Sequence, residues 1–128
     1  MRFYYGANNT PHDTIGTPSI GLATTKLNRL IGVRSINGQK SRLLTRPFKV
    51  NGDLVINARA LGEIRIQVTD ERDNAIVGYT VEDSTPFVGD QLKAKIKWGE
   101  RCLSDLRGTI VRLRFMLEDA ELYSFDFE

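Results

Sequence analysis

The chain holds one histidine, His12, and one cysteine, Cys102, so nucleophilic or acid–base chemistry has to begin from these two or from carboxylates. His12 precedes Asp13 in NNTPHDT, an order from which a general base can be built. A base also needs a Ser or Cys nucleophile within reach. None adjoins it, and His12 is expected to be a loop residue. Cys102 lies in the polar stretch GERCLSDLRG between arginines. A reactive thiolate needs a lowered pKa and a partner base, so an incidental or half-buried thiol is expected. Paired carboxylates hydrolyse glycosides when held at the right separation. The acids Asp70, Asp73, Glu82, Asp83 and Glu118 fall instead at turns and outward strand positions, where charge keeps strands from pairing wrongly. Asp83 and Asp90 flank a loop and offer hard oxygen ligands of the kind calcium takes. Their spacing lacks a dedicated cation-loop pattern, so a structural turn is the expected role. One Cys and one His also exclude an intrachain disulfide, a four-cysteine zinc site and His-rich metal sites. No catalytic residue, metal or cofactor is expected.

Binding chemistry has three candidates. Lys93, Lys95 and Lys97 alternate along one strand and, with Arg112 and Arg114, form a basic stripe that suits an acidic glycan or phosphate. A solvated face balanced by Glu63, Glu118 and Glu121 across neighbouring strands explains them better. Trp98 is the natural sugar-stacking platform, yet it shares the face of Leu92, Ala94 and Ile96 and is expected in the core. Tyr4, Tyr5, Tyr79 and Tyr123 remain as platforms without an evident pair. The 18 basic residues are nearly matched by 16 acidic ones, and so mixed a surface does not point to nucleic acid. No apolar run is long enough for a membrane span, and MRFYYGANN lacks the apolar core of a signal peptide.

The elements that must position these groups read as strands. With 128 residues, 41% of them hydrophobic, the chain is large enough for one core. Leu61–Val81 organises it: Ile64, Ile66 and Val68 alternate with Glu63, Arg65 and Gln67, the polar run Asp70–Asn74 turns the chain, and Ala75–Val81 returns, with Gly78 as a bulge or a close-approach point. Before it come strands over Arg2–Tyr5, Ser19–Lys26 and Leu30–Ile36, the last two close enough to pair as a hairpin, and then a primed-type turn at Asn37–Gly38. Asn51–Gly52 is a second turn; Asp53–Ala60 alternates up to a turn at Leu61–Gly62. Gln91–Trp98 alternates cleanly, and Ser104–Leu106 forms one short helical turn. Val111–Glu118 and Leu122–Phe127 are separated by a tight turn at Asp119–Ala120. Short strands at regular spacing joined by turns predict an all-β fold, an antiparallel jelly-roll-like β-sandwich. Its core should hold Leu54, Ile64, Ile66, Val68, Ile96, Trp98, Leu113 and Phe115. The pattern changes at Asn37–Arg42, which divides the chain into short strands over 1–40, packing on the sandwich, and a β-sandwich domain over 41–128.

The segments LLTRPF, IRIQVTDERDNAIVGYTVEDSTPFVGDQLKAKIKW and LSDLRGTIVRLRFMLEDAELYSFDF, in that order, resemble the carboxy-terminal β-sandwich of large bacterial glycoside hydrolase-like proteins. Those proteins carry a five-bladed β-propeller of the furanosidase and sialidase-like kind ahead of a jelly-roll module. FYYGANNTPHD and SIGLATTKLNRLIGV resemble the closing strands of such a propeller. In that family the catalytic acids lie on propeller blades, which this chain does not supply. The resemblance therefore implies a non-catalytic accessory module that gives structural support and binds carbohydrate. Tyr5 and His12 match a propeller segment that borders a substrate pocket and are the ligand-binding candidates. A free-standing carbohydrate-binding module is the alternative, and a structural unit that self-associates through exposed edge strands is a third reading.

Overall fold

A computed structural model describes residues 1–8 and 18–128. The chain divides into two compact units, Met1–Leu30 and Ile31–Glu128. In the first, β1 (Arg2–Asn8) and β2 (Pro18–Thr24) pair antiparallel in continuous register from Arg2↔Thr24 to Asn8↔Pro18. Both strands were expected, but β2 was expected to pair with Leu30–Ile36. Only Val33–Arg34 (β3) of that segment is strand, and it belongs to the second unit. The buried Ser35 decides this: its N–H donates to the Ala120 carbonyl at 3.0 Å, and its hydroxyl accepts from the Ala120 N–H at 3.1 Å. The second unit thus begins ahead of Asn37–Arg42. The Asn37–Gly38 turn is present, closed by Gln39 N–H to Ile36 O at 2.9 Å. Gly38 has φ +69° and Asn37 does not have positive φ, which is the type II pattern, not a primed one.

The second unit is a six-stranded antiparallel sheet built on two long strands, β6 (Leu54–Thr69) and β8 (Ile110–Phe127). β7 (Phe87–Lys95) flanks β6; β3, β4 (Lys40–Leu44) and β5 (Phe48–Lys49) pair in turn with the other edge of β8. Sequence patterning divides both long strands in two, with turns at Leu61–Gly62 and Asp119–Ala120. Neither turn forms. Ala60 pairs with Ala120 and Glu63 with Glu118, so Leu61 and Gly62 together face the single residue Asp119, at φ +45°. This is a β-bulge, which bends a strand pair without ending it. At Gly62 the strands approach so closely that a Cβ would run into the Glu118 carbonyl oxygen. The turn-forming residues bend two paired strands together, and the halves on either side of the bend enclose one core.

Bulges also set which residues point inward. In β8 the buried positions run Val111, Leu113, Phe115, Leu117, then change parity at Asp119 to Ala120 and Leu122. Tyr123 is the extra residue of a second bulge, which breaks the alternation that puts Tyr123, Phe125 and Phe127 on one face in the sequence. Those two rings join Phe115 and Phe48 in a chain of tilted and edge contacts with centroids 5.0–6.1 Å apart. In β7, Leu92 and Lys93 fall opposite Asn57, and the shift turns Leu92 outward, 45% exposed, where alternation had placed it inside. The eight expected core residues are all buried, none more than 3% exposed.

The organising hairpin exists only in its first arm. Asp70–Asn74 turns the chain and Ala75 bridges Thr69, but no strand follows. The β6 edge that a returning strand would have used is occupied otherwise. Trp98 Nε1–H donates to Ile66 O at 2.6 Å and Ser84 Oγ accepts from Ile66 N–H at 3.0 Å. Val68 N–H donates to Tyr79 O and Ile76 N–H to Val68 O, at 2.9 and 3.1 Å. Loop backbone and two side chains take the ladder's place. Gly78, at φ +84°, lies against the Arg101 guanidinium, which leaves no space for a side chain.

Trp98 therefore has two separable roles. Trp98→Ala should cost about 3–5 kcal/mol through lost packing. Trp98→Phe keeps most of the ring but leaves the buried Ile66 carbonyl unpaired, and should cost about 1–3 kcal/mol. Denaturant melts of both variants check this; a silent Trp98→Phe would show that the indole bond contributes nothing.

Candidate functional site

Of the acids named from sequence, Asp70, Asp73, Asp83 and Glu118 are engaged in the frame, while Glu82 is exposed. Asp70 Oδ1 accepts from the Arg72 and Asn74 N–H groups, both at 2.9 Å, and Oδ2 from the Asn74 side chain at 3.0 Å. These bonds, led by the Asn74 amide, hold its carboxyl below the usual range. Asp73, at φ +68°, pairs with Arg114, whose Nη1 also reaches Gln67 Oε1 at 3.3 Å. Asp83 accepts from the Thr80 hydroxyl at 2.8 Å and the Thr80 N–H at 3.1 Å, which lowers its pKa. That is a reciprocal cap of a single turn, while Asp90 lies within β7. Among the described residues no group of three or more His, Cys, Asp or Glu side chains is arranged to hold a metal ion.

Cys102 is half-buried at the start of a 3-10 turn over Leu103–Leu106, the short helical turn expected near Ser104. Its N–H donates to Asp105 Oδ2 at 2.9 Å. Beside it, Tyr79 packs tilted against Trp98 at a centroid distance of 5.3 Å, donates its hydroxyl to Cys102 O at 3.1 Å, and lies under Arg101. Burial, and after it the charge of Asp105, raise the Tyr79 pKa. The cluster clasps two loops with side chains already satisfied.

Four of the five cations of the basic stripe have partners, though other than those expected: Lys93, Lys95, Arg112 and Arg114. Lys93 pairs with Glu128 and Lys95 with Asp53, both at 2.6 Å; Arg112 Nε donates to Thr45 O at 3.0 Å. Of the acids nominated from sequence, Glu63 pairs with Arg65 at 2.9 Å, Glu118 with Lys40 at 3.1 Å, and Glu121 accepts the Tyr123 hydroxyl at 2.5 Å. Trp98 and Tyr79 are in the core, at 2% and 4% exposure. Tyr4 and Tyr5 are exposed neighbours on β1, so their side chains project to opposite faces and form no joint platform. The Tyr5 ring lies across Gly21, its cross-strand partner, so closely that a Cβ there would meet the ring. His12 and Asp13 lie outside the described residues.

A groove of about 440 Å³ lies beside the bend of β6 and β8. It is lined by the Lys40–Glu118 and Arg65–Glu63 pairs, with Glu82, Met116 and Leu117. Arg65 is held in place, its Nη1 donating to Ser84 O at 3.1 Å. Glu63 and Glu118 are direct cross-strand partners; such like-charge neighbours repel, and each has a cation beside it. No sequence period reveals this meeting, because it depends on the bulge register.

The fold defines this chain as an all-β protein of antiparallel sheets, its second unit a sandwich made from one bent sheet. No family model, no curated protein and no solved structure matches it. No helix among the described residues is long and apolar enough to cross a membrane.

Asp53 shows what the ion pairs contribute. The Lys95 ammonium first, then Ser104, hold its carboxyl at about 2, below the ordinary 3.8. A depressed carboxylate stabilises the fold fully above its unfolded pKa and loses that contribution as pH falls through the folded one. Asp53→Asn should therefore destabilise near neutral pH, and the gap from wild type should close as pH falls from above 3.8 to about 2. Unfolding midpoints against pH measure this; parallel curves would remove Asp53 from the acid limb.

Proposed function

We propose that this chain is a non-catalytic accessory module of a glycoside hydrolase-like protein, a jelly-roll-like sandwich that gives structural support and holds carbohydrate in the groove beside its bend. The observation that carries the reading is the engagement of the acids. Asp70, Asp73, Asp83, Glu63 and Glu118 each close a turn or pair with a cation, where catalysis needs carboxyls facing a substrate. The resemblance of the segments from LLTRPF to LYSFDF to the sandwich that follows a propeller supports the same reading.

The groove favours a neutral, hydroxyl-rich ligand over a charged one. Two of its acids have cations at hand, so an ionic ligand would have to displace an existing partner. A vicinal diol can donate to Glu63 or Glu118 and accept from Arg65 or Lys40 without breaking either pair. Its C–H face would rest on Met116. The free-standing module with an aromatic platform is less well supported, because Trp98 and Tyr79 are in the core. Self-association is the further reading: β7 is a sheet edge, although Lys93 and Lys95 on it discourage strand addition.

The test pairs two assays of the purified protein. Aryl-glycosides should not be hydrolysed. NMR titration with neutral oligosaccharides should shift resonances of Arg65, Met116 and Glu118 and leave those of the Lys93–Lys97 segment in place, and Arg65→Ala should weaken the response. Hydrolysis lost on Asp83→Asn would overturn the non-catalytic reading; shifts confined to Tyr4 and Tyr5 would move the carbohydrate site away from the groove.

A further inference from the structure

Two Asn–Gly dipeptides occur in the second unit, Asn37–Gly38 and Asn51–Gly52, and the fold treats them differently. Asn–Gly is the dipeptide in which a following amide nitrogen reaches the Asn side chain with least steric hindrance, because glycine has no Cβ. Gly38 is exposed, sits at φ +69° and has open space around its Cα. The turn around it is closed by one backbone bond, from Gln39 N–H to Ile36 O. Gly52 is buried, and a Cβ there would lie 2.5 Å from the Glu128 carbonyl oxygen. Its neighbours are tied down on both sides. Asp53 and Glu128 exchange two backbone bonds at 2.7 and 2.9 Å, Val50 N–H donates to Thr109 O at 3.0 Å, and Gly108 N–H donates to Val50 O at 2.9 Å.

We propose that Asn37 is a site of spontaneous deamidation in the folded protein, and that the fold protects Asn51 from the same reaction. The Gly38 amide nitrogen, on losing its proton to base, attacks Asn37 Cγ. A C–N bond forms, the side-chain nitrogen leaves as ammonia, and the product is a five-membered imide. Water then opens the imide at either carbonyl, leaving an aspartyl or an isoaspartyl link at position 37. The only co-reactant is water. At Gly52 the enclosing backbone restricts both the entry of base and the rotation that brings the Asn51 side chain onto the nitrogen.

The modification would have a local consequence. Asn37 lines a depression of about 150 Å³ with Arg34, Arg59, Asp119 and Glu121, so the reaction adds a carboxylate to an already charged row. An isoaspartyl link also lengthens the backbone just ahead of β4, whose first pair is Lys40↔Glu118.

Incubation of the folded protein in mildly alkaline buffer, followed by peptide mapping with fragmentation that separates the two isomers, tests the proposal. Asn37 should convert several-fold faster than Asn51 when folded, and the two should convert at similar rates in denaturant. Equal rates in the folded protein would overturn it. So would an unreactive Asn37 in folded protein that converts once unfolded.

Discussion

The bend shared by β6 and β8 is the constraint on which the second unit rests. Two paired strands of this length would form an open ribbon with one exposed apolar face, which is marginal at best in water. Bending them at Gly62 and Asp119 brings Leu54–Ala60 and Ile64–Val68 into a single core. The enclosure is then closed from the side. Trp98 follows Ile96, whose N–H donates to Leu54 O on one half, and its indole donates to Ile66 O on the other. The segment from Ile96 to Trp98 thus ties both halves of the bent strand.

Much of this was legible in the sequence, and the misses share a cause. Period-two alternation placed Leu54, Ile64, Ile66, Val68, Ile96, Trp98, Leu113 and Phe115 in the core, because burial on a pleated strand enforces that period. Leu61–Gly62 and Asp119–Ala120 look like chain reversals in the sequence, because bulges draw on the same residue types as turns. Alternation failed at Leu92 and Tyr123 for the same reason, since an extra residue flips every side chain beyond it. The absent second arm of the hairpin is a different failure. Ser84 and Trp98 take its hydrogen bonds from a distance no local pattern reports.

Legibility was lower for the candidate site. The acids were rightly placed at turns and outward positions, and Asp70 and Asp83 close turns through short-range bonds that residue type suggests. Partners for the lysines were not foreseeable. Lys95 meets Asp53 and Lys93 meets Glu128 because the chain's last residue pairs with the residue before β6. The groove is further still from sequence: Glu63 and Glu118 become neighbours only through the register that the bulge imposes. Fold and candidate site therefore depend on one local irregularity.

That dependence makes Gly62 the position to measure. Gly62→Ala adds one methyl group where the Glu118 carbonyl already lies in contact range, and the bend cannot relax without moving both strands. Equilibrium denaturation should show a loss of about 1–3 kcal/mol, the usual cost of forcing an atom into a packed interior. Amide resonances of Glu63 and Glu118 should shift with it. An unchanged midpoint with unchanged resonances would contradict the account, since it would mean the strands do not approach at Gly62 and the bend lies elsewhere.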